Sequence, residues 1–267
     1  MVLTPRAEAL KARVHAVVTE ARQTLEPQGP FWPSELDCTF LMRTTDSVLT
    51  ILGLSVDRIL GEEAPRVVLR FLPNSPEDAA ALRDGRSDLA IGTYAELPPD
   101  MRIRQILTDR LVAVVREGHP DVGEHMSIEQ FVRLQHLQVA PRGRPGGYLD
   151  DVLGEGGRAR RVARVVPYFL PALQLASQTD YVLTVPERVA RQLAPSLGLR
   201  LLQLPVKLRP YALNLVWHPR LDGDAGHAFL REVFVRAARE AAEGPHEGAS
   251  SRPESTGPAS GPMRRRP

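Results

Sequence analysis

The sequence predicts an α/β fold: two doubly wound, Rossmann-like subdomains joined by a two-strand hinge, with a linker helix ahead of them. Three observations carry this expectation. Apolar, β-branched runs alternate with helix-compatible segments across residues 38–112, and the alternation repeats across 113–207, as it does where crossover helices join the strands of a parallel sheet. A further stretch, 208–242, holds one strand and one helix, too little to fold alone. Returned to the first block, it makes the chain cross between blocks twice, near Thr108–Val112 and Leu208–Tyr211, and leaves a cleft between two hinged lobes.

Residues 4–25 read as a helix, with Thr4 able to cap it, Pro5 at its first position, and Pro27 and Gly29 ending it. Leu3, Ala7, Leu10, Val14, Val17 and Ala21 recur at alternating spacings of four and three, a heptad seam. The pattern fits a helix packed on the chain's own core, and its small residues and short length also suit pairing with a like helix, in which case residues 1–27 serve dimerisation. Residues 27–37 form a Pro- and Gly-bearing linker whose Phe31 and Trp32 are expected to dock on the sheet. A strand follows at 39–44, then a helix over 46–61 with Asp46 as N-cap and Val48, Leu52, Val56, Ile59 and Leu60 inward.

Val67 to Leu72 is apolar enough for a strand covered on both faces. Ser75 can cap a helix that has Pro76 at its first position and stops at Gly85. Leu89-Ala90-Ile91 is then an interior strand of a parallel sheet, reached by a right-handed crossover. Strands at 103–107 and 111–115 are broken by Thr108-Asp109-Arg110. Helix and strand then alternate: 127–134 with 136–140, 148–153 with 162–166, 167–177 with 181–185, and 186–193 with 199–204. A strand at 211–217 and a helix at 224–242 complete the order, and residues 244–267, rich in Gly, Pro, Ser and Glu, read as a disordered tail.

Composition narrows the function classes. A net charge of +2 over 267 residues is too small to point to nucleic-acid binding by itself. One cysteine, Cys38, forbids an internal disulfide framework and suits a reducing compartment. No basic start leads into an apolar segment, and no apolar run reaches membrane-spanning length. A soluble, cytoplasmic protein without membrane contact is expected. Gly143-Arg144-Pro145-Gly146-Gly147 lacks the Lys-Ser/Thr of a phosphate loop, and no serine elbow, zinc-binding helix or paired-cysteine motif is present. Neither catalysis nor a cofactor or metal is expected.

A binding cleft is better supported. Ligands of doubly wound sheets sit beyond the carboxyl ends of the strands, where helix N-termini present free amides. Those positions are Thr45, Asp46 and Ser47, then Gly92, Thr93 and Tyr94, in the first block. In the second they are Arg142, Tyr168 and Phe169, then Thr184 and Pro186. Arg142 is the natural partner of a carboxylate, and Tyr168 and Phe169 could clamp an aromatic body.

Gly85-Arg86-Ser87-Asp88-Leu89-Ala90-Ile91-Gly92 resembles the G-x-x-D-L-A-I-G segment of LysR-type transcriptional regulators. Arg116-Glu117-Gly118-His119-Pro120 is similar to the R-x-G-H-P with which that family enters its second subdomain. Met1 to Ala7 resembles the junction between its winged helix-turn-helix domain and its linker helix, and Trp217-His218-Pro219-Arg220 resembles its aromatic-responsive branch. The resemblance spans roughly residues 2–236. It implies a type 2 periplasmic-binding-protein fold whose effector contacts lie at the strand ends just named. On that implication residues 38–112 with 208–242 form effector-binding subdomain I and 113–207 subdomain II. The chain would sense a small, aromatic or carboxylated molecule to control transcription. It would reach operator DNA only through an N-terminal domain absent from these residues, and would form homodimers or mixed dimers with full-length relatives. The alternative is a free-standing solute-binding protein with no role at DNA.

Overall fold

The computed structural model describes residues 5–25, 31–94, 96–143 and 146–243. Leu3 of the expected seam, the cap Thr4 and the tail 244–267 lie outside the described residues, and of Ala7 only the backbone is described. Helix α1 (Pro5–Leu25) leads through a 3-10 turn at Pro33–Glu35 into β1 (Thr39–Thr44), α2 (Asp46–Glu63), β2 (Val68–Pro73), α3 (Asp78–Arg83), β3 (Leu89–Gly92) and β4 (Arg102–Asp109). Then come β5 (Leu111–Arg116), α4 (Ile128–Arg133), β6 (Gln135–Val139), α5 (Tyr148–Glu155), β7 (Arg161–Val166), α6 (Phe169–Ser177), β8 (Val182–Pro186), α7 (Glu187–Leu193) and β9 (Leu199–Leu202). The last elements are β10 (Tyr211–Trp217) and α8 (Ala225–Glu243).

The strands form two five-stranded mixed sheets of matching design, in the orders β2-β1-β3-β10-β4 and β7-β6-β8-β5-β9. In the first, β1 runs parallel to β2 and β3, while β10 is antiparallel to β3 and β4. In the second, β6 runs parallel to β7 and β8, while β5 is antiparallel to β8 and β9. The chain changes sheet between β4 and β5, with Arg110 alone between them, and returns after β9. Leu111 and Val112 already pair with Pro186 and Val185 of the second sheet.

Each sheet is covered on both faces, which is why its central strands carry little alternation. In the first, α2 and α8 cover one face through Leu52, Ile59, Leu230 and Val233, packed on Met42 and Leu215. Leu82 of α3 packs on Ala90 and Val216 on the other. In the second, Leu173 of α6 and Val189 of α7 meet Leu137 and Leu183, while Phe131 of α4 and Leu153 of α5 meet Val115. Burying each such side chain contributes about 1.5–3 kcal/mol.

Three local expectations need correction. The helix expected from Ser75 starts at Asp78, because the Asp78 carboxylate accepts the Ser75 N–H at 2.9 Å and the Ser75 hydroxyl accepts the Glu77 N–H at 3.0 Å, holding a turn there. Strand β3 is interior, but its sheet is mixed, since the returning β10 pairs with it antiparallel. Phe31 docks on α8 instead of the sheet, its ring 6.0 Å from that of Phe229, and Trp32 is exposed.

Candidate functional site

A cavity of about 450 Å³ lies between the two sheets. The start of α2 supplies Thr45, Ser47, Val48 and Ile51 to one side. The end of β6 supplies Val139, Ala140, Pro141 and Arg142 to the other, with Phe169 and Pro186. The strands that change sheet contribute Leu107, Asp109 and Leu111, and the returning strand contributes Tyr211 and Leu213. The walls are therefore mainly aliphatic, with polar groups at a few points, the usual make-up of a small-molecule site.

Arg142 stands in the loop after β6 and reaches the other lobe. Its Nη1 donates to the Thr93 carbonyl at 3.2 Å, and its guanidinium carbon lies 4.9 Å from the Tyr94 ring centroid. Both contacts hold a planar, permanently charged fork beside the cavity. At the start of α2, Thr45 occupies the N-cap in extended conformation (φ −94°, ψ 158°) but its side chain caps no amide. Its hydroxyl is instead 2.8 Å from that of Ser47. The first amides of a helix have no intrahelical partner, and the Asp46 carboxylate in the first turn offsets the positive potential of this end.

Two residues expected beside the ligand have other roles in the structure. Asp46 is the first helical residue of α2, not its cap, and its Oδ2 accepts the Leu170 N–H of α6 at 2.8 Å. Tyr94 offers its ring to Arg142, while its hydroxyl donates to Asp78 at 3.0 Å. Burial pushes that phenol's pKa up, with the Asp78 charge adding to the effect, so it stays protonated.

The remaining expected residues divide. Thr45, Ser47, Thr93, Arg142, Phe169 and Pro186 line the cavity. Asp46 and Tyr168 line a neighbouring pocket of about 330 Å³, which shares Thr45, Asn74 and Pro141 with it. Thr184 lies outside both linings, on β8 opposite Ala113.

Sequence reasoning missed Asn74, Asp109, Tyr148 and Tyr211, which also line the cavity. Asn74 directly follows β2, so the strand-end rule applied to the other positions would have found it. Asp109 ends β4, where the chain changes sheet. It accepts the Arg110 N–H at 2.8 Å, and burial holds its carboxyl above the usual range. Among the described residues no group of three or more His, Cys, Asp or Glu could hold a metal ion, and no helix is long and apolar enough to cross a membrane.

Comparison with known proteins adds a family. Residues 58–239 match the model of the LysR substrate binding domain. The transcriptional activator NagR of Ralstonia sp is 30% identical over 239 residues, which cover 89% of this chain and 79% of NagR. The transcriptional regulator SyrM 2 of Sinorhizobium fredii is 31% identical over 240 residues, 90% of this chain and 70% of its own. A crystal structure of a probable transcriptional regulator from Pseudomonas aeruginosa superimposes with a TM-score of 0.76 at 33% identity, covering 86% of this chain and 77% of that one.

Proposed function

The chain belongs to the LysR substrate-binding-domain family, and from that premise we propose that its two lobes close on a small carboxylated effector with an apolar body. The relatives it matches are transcriptional regulators rather than enzymes. The observation that carries the reading is Arg142, held by Thr93 and Tyr94 at the rim of a mainly apolar cavity. A guanidinium so placed grips a carboxylate by two parallel hydrogen bonds. Val48, Ile51, Leu107 and Leu213 suit a ring or branched alkyl body. A ligand touching both lobes favours the closed arrangement and so shifts the equilibrium between open and closed forms. That shift, relayed to a DNA-reading domain, is how the effector controls transcription. Residues 38–112 with 208–242, and 113–207, are the two lobes in this reading, and α1 pairs with its counterpart in a second copy.

The test is calorimetric titration with benzoate, cyclohexanecarboxylate and the uncharged benzamide. The expected result is binding of both acids and a large loss for the amide. Equal affinity for benzoate and benzamide, or no binding of either acid, would overturn the carboxylate assignment.

A further inference from the structure

Asn74 is 5% exposed, and its neighbours fix which way its amide faces. Its Nδ2 donates to Asp78 Oδ2 at 2.9 Å and to the Tyr94 hydroxyl oxygen at 3.3 Å. A carboxylate only accepts, so the amide nitrogen must face Asp78 and the oxygen must face away. That oxygen, Oδ1, is buried and has no hydrogen-bond partner among the described residues. It lies 3.6 Å from the point where a β-carbon on Gly92 would stand, and Arg142 Nη2 lies 3.6 Å from the same point. Because position 92 is glycine, an acceptor and a cationic donor approach one point, with Tyr94 Cε2 at 3.5 Å from it, beside the cavity that Asn74, Gly92 and Arg142 line.

A second buried group adds to this. Thr44 is 4% exposed, its hydroxyl is also unpartnered among the described residues, and it sits in register with Pro73, the residue before Asn74. Asp46 Oδ1 is buried without a partner as well. Thr44, Asp46 and Asn74 together line the smaller pocket that adjoins the main cavity. Two of these three atoms can only accept, and a buried acceptor left without a donor is costly. A ligand bringing a donor relieves that cost.

We propose that Asn74 Oδ1, with the Thr44 hydroxyl, forms a donor-reading subsite beside Arg142, so that the effector carries a hydroxyl or amino group as well as its carboxylate. This rests on the carboxylate reading of the cavity and names the class of molecule more narrowly. Arg142 selects the acid, and Asn74 selects among acids by the donor they bring.

The test is calorimetric titration of the full chain with benzoate and with the isomeric hydroxy-, amino- and methoxybenzoates, in the native protein and in Asn74→Ala and Arg142→Ala. At least one hydroxy or amino isomer is expected to bind about tenfold more tightly than benzoate and than its methoxy counterpart, since tenfold matches the cost of leaving one buried acceptor unpaired. Asn74→Ala is expected to bring that advantage, read as the ratio of the isomer's affinity to benzoate's in the same protein, to within about twofold. Survival of the full advantage in Asn74→Ala would overturn the proposal, as would the absence of any preferred isomer in the native protein. If Asn74→Ala does not fold, Thr44→Val, which keeps the side-chain shape, decides: the ratio of the donor-bearing isomer's affinity to benzoate's is expected to fall, and an unchanged ratio overturns the subsite. Acids that bind through Arg142 without donor preference sink the subsite alone. Failure of every acid to bind, or benzoate binding unaffected by Arg142→Ala, sinks the carboxylate reading and the subsite with it.

Discussion

Asp46 Oδ2, on the first residue of α2, accepts the backbone N–H of Leu170, the second residue of α6, at 2.8 Å. Asp46 belongs to the lobe of the first sheet and Leu170 to that of the second, so the bond joins the two lobes. It places a carboxylate at the positive end of α6 and thereby fills an amide end that would otherwise attract an anionic ligand. An effector carboxylate is left with Arg142.

The first prediction follows from that bond. Asp46→Ala removes the acceptor and the charge, and is expected to cost about 1 kcal/mol, the typical worth of a side chain capping a helix end. Thermal unfolding should then shift down by about 2–4 °C, the response expected for a chain of this size. Asp46→Asn keeps an acceptor without the charge and should shift it less. An Asp46→Ala protein that unfolds with the native one would show that the contact contributes nothing to the stability of the fold.

The sequence made the strand ends legible because βα units announce themselves locally. Strand β1 coincides with its expected bounds since Cys38 and the polar Thr45-Asp46 frame a short apolar run, and β10 does so between Pro210 and His218-Pro219. The cavity-lining positions Thr45, Ser47, Thr93, Arg142, Phe169 and Pro186 follow from the rule that ligands sit beyond strand ends. What the sequence could not give was direction across the cleft. Asp46 obeys the local pattern of a cap, yet its partner is 124 positions away in α6. Asp109 and Tyr211 enter the cavity only because two distant segments meet where the chain changes sheet, and no local periodicity encodes that meeting.

Arg142 supplies the second prediction. Arg142→Ala should weaken a carboxylated ligand by about 1.5–3 kcal/mol, the range for a hydrogen bond to a charged group, with little effect on an uncharged amide. Arg142→Lys keeps the charge but loses the fork and the stacking on Tyr94, so its loss should fall between native protein and alanine variant. Calorimetry on the three proteins checks the order. A lysine variant that binds as tightly as the native protein would mean that charge alone, without bidentate geometry, does the gripping.

The third prediction concerns α1. Leu10, Val14, Val17 and Val18 are 45–63% exposed, so this apolar stripe is left uncovered by the chain's own lobes. A 21-residue helix with alanines in its seam is marginal alone, so pairing through α1 is expected to act together with contacts from the lobes. Replacing Leu10 and Val14 with Asp puts charges into the seam and should lower the associated fraction in sedimentation equilibrium. An unchanged distribution of species would remove α1 as a partner surface.

The last prediction is a pH dependence carried by one buried histidine in each lobe. His136 and His227 are 0% and 1% exposed. Burial lowers the pKa of each from 6.5 to about 4, against a smaller opposing push from the carbonyl each ring donates to, Phe131 O at 2.7 Å and Asp88 O at 3.0 Å. In His227 the other ring nitrogen accepts from Arg231, and in His136 it has no partner among the described residues. A proton added there would face a cation in one case and sit buried without an acceptor in the other. Both folded pKa values lie below the unfolded one, so between them the unfolded chain binds the extra proton. Stability is therefore complete above about pH 6.5 and is lost as pH falls toward 4. Each histidine can account for on the order of 3 kcal/mol across that window. Carboxyls whose pKa burial raises, Asp88 and Asp109, act in the opposite sense, so the measurement must compare variants. Denaturant titrations at pH 7 and pH 5 should show a smaller pH-dependent loss in His227→Gln than in the native protein, even though the variant is less stable at pH 7. An identical loss in both would mean that His227 does not stay neutral in the folded chain.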